Sequence, residues 1–140
     1  MAQNGPIIFV EDDIDDQFIY EEICNKLGVG SRIKFFSTAD AALHYLRVTT
    51  DKPFIIFCDI NMPESDGLQL RKQINDDEHL KRKSIPFVFF STAATPTQVR
   101  IAYDLTVQGF FLKGNYAETF STIDMVLKYW KTCYHPNSDH

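Results

Sequence analysis

In the stretch FIIFCDINMPESDG, residues 54–67, an unbroken hydrophobic run ends on a lone carboxylate, Asp59, with Asn61, Pro63 and Gly67 close behind. The acidic stretch EDDIDD, residues 11–16, ends another apolar run and opens with Glu11, Asp12 and Asp13. Ser91 and Thr92 close PFVFF, and Lys113 closes GFFL. Taken alone, Asp59 reads more simply as a solvated strand end than as a reacting group. Taken together, these residues are two acidic clusters, a hydroxyl and an ammonium. Carboxylates brought close to one another repel, so gathering them needs a cation or protonation. An all-oxygen donor set suits magnesium, a hard octahedral ion that keeps waters and takes one or two protein carboxylates beside a phosphate. The lysine and the hydroxyl add donors for an anion bound next to the metal. The chemistry implied is a magnesium-assisted phosphoryl site, where a carboxylate attacks a phosphoryl group whose charge the metal reduces.

That chemistry requires elements that bring the four stretches to one place. PIIFV (6–10), FIIFC (54–58), PFVFF (86–90) and GFFL (109–112) are continuous apolar runs, the pattern of strands covered on both faces in a parallel sheet. RIKFF (32–36) alternates and is expected at a sheet edge. Helical stretches separate the strands. Asp16–Leu27 places Phe18, Ile19, Ile23 and Leu27 on one face and stops at LGVG. Thr38 caps a helix through Arg47, and Leu68–Asn75 forms a short third helix. Thr95 followed by Pro96 opens a fourth helix to about Leu105, and Asn115 with Glu118 forms a capping box for the last. The segment NDDEHLKRKSIP is expected to be an extended charged loop after the third helix. The order is that of an α/β protein with a doubly wound parallel sheet and right-handed crossovers. Ligands of such sheets bind beyond the carboxyl ends of the strands, where Glu11, Asp12, Asp59, Ser91 and Lys113 all stand.

Composition narrows the function classes. A chain of 140 residues, 44% hydrophobic and 24% charged, is an ordinary globular domain. Its net charge of −5 argues against general nucleic-acid binding. Its apolar runs fall far short of the ~18 residues of a membrane span, and MAQNGPII lacks a secretory layout. Cys24, Cys58 and Cys133 have no paired spacing, which favours a reduced cytoplasmic protein in which they pack or are incidental. His44, His79, His135 and His140 have no ligand spacing and are expected at the surface. The tail YHPNSDH is expected to fray. EDDIDD lacks the glycine and terminal glutamate of a calcium loop. Asp13, Asp15 and Asp16 are expected to cap or precede the first helix and favour its dipole.

The motifs FVEDD, CDINMPESDG, FFST and GFFLKG, in this order, resemble the receiver domain of two-component response regulators, over about Pro6–Trp130. The resemblance implies a flavodoxin-like (βα)5 fold with strand order 2-1-3-4-5 and helices on both faces. It divides the chain into a tail (1–5), a receiver domain (6–132) and a second tail (133–140). By resemblance Asp59 is the phosphoacceptor. Asp12, Asp59 and the backbone carbonyl of Asn61 ligate Mg2+, with Glu11 acting through a metal-bound water. Ser91 and Lys113 meet the phosphoryl oxygens. Phe110 falls at an aromatic switch position, although an aromatic there is also ordinary core. Pro63 and Gly67 shape the exit from the acceptor strand. The phosphodonor is a histidine kinase or a histidine phosphotransfer protein. A match this long leaves no room in 140 residues for an output domain, so a stand-alone switch is expected, a monomer or weak dimer acting through protein contacts. The face of helix 4, strand 5 and helix 5, with Tyr103 and Tyr116, would meet the target. Ile14 and Phe18 would help dock the donor, with core packing an alternative for Phe18.

One departure is plain: Gly114 stands where the family has proline with a cis bond, which costs roughly 3 kcal/mol before any other residue and so favours trans here. A small Ala93, two residues past Ser91, is expected to leave the path of water to the acceptor comparatively open. Two rival functions remain. A phosphatase of the haloacid dehalogenase type needs an aspartate two residues beyond its nucleophile, where this chain has Asn61. A receiver-like module that is never phosphorylated would ordinarily lose the acceptor or its acid pair, and both are present.

Overall fold

The computed structural model describes residues 4–62 and 65–136. Strands β1 (Ile7–Val10), β2 (Ile33–Phe36), β3 (Ile55–Cys58), β4 (Phe87–Ser91) and β5 (Gly109–Leu112) form one five-stranded parallel sheet in the order β2-β1-β3-β4-β5. Helices α1 (Ile14–Lys26), α2 (Ala39–Val48), α3 (Gly67–Asp76), α4 (Pro96–Asp104) and α5 (Tyr116–Thr132) connect and follow the strands. The continuous apolar runs are buried throughout β1, β3 and β4, because alternate residues enter two separate cores. Ile8, Val10, Ile56, Cys58, Phe87 and Phe89 pack with residues of α2, α3 and α4. Ile7, Phe9, Ile55, Phe57, Val88 and Phe90 pack with α1 and α5, where Phe9 stacks between Tyr20 and Phe57 at 4.8 and 4.9 Å. The alternating RIKFF strand is the edge strand β2, half-buried as its pattern predicts. No helix among the described residues is long and apolar enough to cross a membrane.

Caps explain where the helices begin. Asp13 accepts from the amides of Asp15 and Asp16, so α1 starts two residues earlier than the apolar pattern suggests. Thr38 caps α2, and capping boxes start α4 at Thr95/Gln98 and α5 at Asn115/Glu118, as expected.

Three expectations fail. GFFL, expected to be covered on both faces, is the second edge strand, with Phe110 and Phe111 half-buried and Leu112 exposed. The segment after α3 is a short helix, Glu78–Lys83, capped by Asp77 and burying only Leu80. Lys83 Nζ donates to the carbonyls of Leu46 and Thr49 at 2.6 and 3.2 Å, tying this helix to the end of α2. The chain after α5 also does not leave the body: His135 is fully buried, stacked on Phe54 and edge-on to Trp130, with Nε2 2.6 Å from Phe54 O. An imidazole needs only one apolar slot and one carbonyl to be buried, and the base of β3 offers both.

Candidate functional site

The carboxyl ends of β1, β3, β4 and β5 set the site. Parallel pairing continues one residue past each strand, with Glu11 N donating to Phe36 O at 2.9 Å and Asp59 N to Val10 O at 3.0 Å. Glu11 and Asp59 are thereby fixed side by side. One oxygen from each of Glu11, Asp12 and Asp59 lies within 4.8 Å of the others, with Asp12 the most open of the three. Gly67, the first residue of α3, sits directly behind Asp59: a Cβ there would stand 2.5 Å from Asp59 O and 3.0 Å from the Phe89 ring.

Ser91 and Lys113 complete the rim. Ser91 is fully buried and its hydroxyl donates to Asp59 Oδ1 at 3.0 Å. Asn61 N donates to the same oxygen at 3.1 Å. Lys113 N donates to Ser91 O at 2.8 Å, extending the β4–β5 ladder and aiming the lysine side chain across the rim. Its ammonium forms ion pairs with Glu11 and with Asp16 at 2.9 Å, lies 3.5 Å from Asp59 Oδ2, and stands 5.7 Å over the Tyr20 ring. Lys113 therefore reaches Asp59, but its shortest contacts are to the other acids.

Negative charge exceeds positive here. Burial pushes Glu11 up to about 7, with the charge of Asp59 adding and Lys113 opposing. Burial works against the Lys113 ammonium, but Tyr20, Glu11 and Asp16 outweigh it and its pKa is raised. Burial likewise raises the Tyr20 phenol, whose hydroxyl donates to Glu11 Oε1 at 3.4 Å.

Asp13 behaves as the cap it was expected to be. Asp16 does not stop at favouring the helix dipole. It stands in the first turn of α1, on the side facing Lys113, and its partner comes from the far edge of the sheet. The side chain of Asn61 was also missed: Nδ2 donates to Ala93 O at 2.9 Å and to Ser91 Oγ at 3.3 Å. The space expected to be left open beside Ala93 is thus spanned by an amide. Phe110 lies below the rim, half-buried against Phe89 at 5.6 Å between ring centroids. Tyr116 turns away from the α4–β5–α5 face: its hydroxyl accepts from Lys26 and donates to Glu22, both on α1. Tyr103, Ile14 and Phe18 are exposed. Pro63 lies outside the described residues.

No cis peptide occurs among the described residues, so Gly114 does not reproduce the proline turn. The loop is held otherwise. Glu118 folds back onto Asn115 N at 3.0 Å, and Thr119 Oγ1 donates to Gly114 O at 3.4 Å. A Cβ on Gly114 would meet Glu118 Oε1 at 2.6 Å, so the glycine makes room for the capping box.

A doubly wound parallel sheet with an acid cluster, a hydroxyl and a lysine at its carboxyl rim defines the class, a flavodoxin-like α/β protein with its candidate site beyond the strand ends. The family model for the response regulator receiver domain matches residues 7–123, and the chain belongs to that family. It is 27% identical over 129 residues to the probable methanogenesis regulatory protein FilR2 of Methanothrix harundinacea, covering 89% of this chain and 82% of that one. It is 25% identical over 130 residues to the response regulator Rcp1 of Synechocystis, covering 89% and 87%. Among solved structures, the phosphorylated cyanobacterial phytochrome response regulator RcpA aligns with a TM-score of 0.81 at 27% identity, covering 91% and 94%.

Proposed function

We propose that this receiver domain is a phosphorylation switch whose acceptor is Asp59. The observation that carries the reading is the surroundings of one carboxylate: Asp59 lies within 4.8 Å of Glu11 and Asp12 oxygens, 3.0 Å from the Ser91 hydroxyl and 3.5 Å from the Lys113 ammonium. A carboxylate oxygen of Asp59 forms a bond to phosphorus as the P–N bond of a donor phosphohistidine breaks, its electron pair staying on the imidazole. The donor is a histidine kinase or a histidine phosphotransfer protein.

The donor set fits magnesium: three carboxylates converge without sulfur or imidazole, and burial with like charge has already pushed Glu11 up to about 7. Asp12, Asp59 and the Asn61 carbonyl would hold it, with Glu11 acting through a water. Bound there, it supplies the positive charge that lets a crowded carboxylate meet an anionic phosphoryl group. Lys113 and Ser91 then stand at hand for the phosphoryl oxygens. Movement of Ser91 toward them loosens the β4–α4 loop above Phe110, and the altered α4–β5–α5 face, with exposed Tyr103, presents the signal to a protein target. The three free cysteines suit a cytoplasmic location, and the acidic balance suits a protein rather than a nucleic-acid partner.

Incubation with magnesium and acetyl phosphate, followed by intact-mass measurement, tests the reading. A single added phosphoryl group that disappears in Asp59→Asn supports it. An unmodified wild-type chain, or steady phosphate release from unrelated esters, overturns it.

A further inference from the structure

The side chain of Asn61 belongs to a chain of hydrogen bonds whose direction is fixed at both ends. Ala93 O can only accept, and it lies 2.9 Å from the Asn61 amide nitrogen, so that nitrogen is Nδ2 and the oxygen faces the other way. The Asn61 oxygen receives Gln98 Nε2 at 3.3 Å. Gln98 has no freedom to turn over either, because its Oε1 accepts from the backbone N–H of Thr95 at 2.9 Å. At the other end Asn61 Nδ2 donates to Ser91 Oγ at 3.3 Å, leaving the Ser91 proton for an acceptor. Two acceptors stand near, Ala93 O at 3.2 Å and Asp59 Oδ1 at 3.0 Å, and the carboxylate is the stronger. The donors therefore point one way, from the N-cap of α4 through Gln98, Asn61 and Ser91 to Asp59.

We propose that Asn61 and Gln98 are positioning residues for the reaction at Asp59, forming a hydrogen-bonded relay that holds Ser91 on the acceptor and ties the state of Asp59 to the first turn of α4. The inference rests on Asp59 being the acceptor and goes beyond it. When Asp59 becomes an acyl phosphate, its carboxylate loses the charge that attracts the Ser91 proton, and the phosphoryl oxygens become the stronger acceptor. Ser91 then turns, Asn61 loses or redirects one of its bonds, and the change arrives at Gln98. Gln98 is both a member of the relay and the third-position residue of the α4 capping box. A polarised chain strengthens link by link, so removing one donor weakens the links beyond it.

Gln98→Glu isolates the relay. The glutamate still accepts from Thr95 N and keeps the cap, but it has no N–H for Asn61. Gln98→Ala removes both and serves as the structural control. Amide NMR spectra are recorded with magnesium, before and after beryllofluoride, a stable stand-in for the phosphoryl group, together with the rate at which phosphate is lost from Asp59. In the wild type, both Ser91 and Thr95 amides shift. In Gln98→Glu, the Ser91 shift persists, the Thr95 shift falls by more than half, and phosphate is lost about threefold to tenfold faster, the worth of one hydrogen bond. An unchanged Thr95 shift in Gln98→Glu, or a wild-type Thr95 amide that does not move while Ser91 does, overturns the relay alone. Absence of any shift at Ser91 in the wild type overturns the acceptor reading and the relay with it.

Discussion

The two ends of the sheet solve the burial of charge in opposite ways. At the carboxyl end, Glu11, Asp16 and Asp59 crowd around the Lys113 ammonium, and the acids outnumber the cation. At the amino end, the cation Arg71 is equally buried but has no carboxylate partner among the described residues. It donates to the carbonyls of Leu105 and Thr106, at the negative end of α4, at 3.2 and 3.0 Å, and lies over the Phe87 ring. His135 is held the same way, by a carbonyl and aromatic faces. Neutral carbonyls satisfy a buried donor without repelling one another, so the base is settled in one state. The rim keeps unspent negative charge, and its state depends on what arrives.

The two ends should differ most when each loses its cation. Lys113→Met leaves the rim acids uncompensated and is expected to cost about 3–5 kcal/mol in urea unfolding at neutral pH, with part of the loss recovered on adding magnesium. Arg71→Met strands two carbonyls and is expected to cost about 1–3 kcal/mol, with no magnesium response. A base variant that responds to magnesium, or a rim variant that does not, would remove the distinction.

A second test separates close packing from charge at the rim itself. Gly67→Ala sets a Cβ 2.5 Å from a backbone oxygen, Asp59 O, so α3 must shift away from Asp59. The expected cost is about 1–3 kcal/mol, with slower phosphorylation. Gly114→Ala meets only the movable end of Glu118, at 2.6 Å, and should cost about 1 kcal/mol, the worth of the cap it displaces. Equal losses at both positions would mean that the Asp59 carbonyl is not a rigid wall.

The rim also predicts a gain. Glu11 has a folded pKa pushed up to about 7, above its ordinary value of 4.5, so its ionisation opposes folding as pH rises through that window. Glu11→Gln removes that opposition and is expected to stabilise the metal-free protein at neutral pH by on the order of 1 kcal/mol, while weakening magnesium binding. A destabilised variant would show that the Lys113 pairing outweighs the crowding.

The sequence made the carboxyl end of the sheet legible because each acid or lysine there terminates an apolar run, and in a parallel sheet a run's end fixes where its next residue sits. Asp59, Glu11, Ser91 and Lys113 needed nothing more. Asp16 and the Asn61 side chain were hidden because their partners come from other elements, across the rim and on the β4–α4 loop, and no local pattern records them. The helix Glu78–Lys83 escaped for a different reason. With only Leu80 buried it has no apolar stripe, and it is held by the Asp77 cap and by Lys83 on the carbonyls of α2. The base was the least legible part, since a histidine in a polar tail gives no sign that Phe54 and Trp130 will enclose it.

That enclosure yields an effect whose sign is opposite to that at Glu11. Burial lowers the pKa of His135 below its ordinary value of 6.5, against a weaker opposing pull from the Phe54 carbonyl. Below 6.5 the unfolded chain takes up a proton that the folded chain refuses, so this contribution is complete above that pH and is lost as pH falls through it. His135→Gln keeps an amide donor for Phe54 O but cannot titrate. Its stability relative to the wild type should therefore improve as pH drops from 7 to 5, by a slope of at most about 1.4 kcal/mol per pH unit. Glu11→Gln should change the slope in the other direction over the same range, since the group it removes resists deprotonation rather than protonation. Paired urea titrations at three pH values measure both slopes. Slopes of the same sign would mean that rim and base respond to protons alike, and the electrostatic contrast between the two ends would not stand.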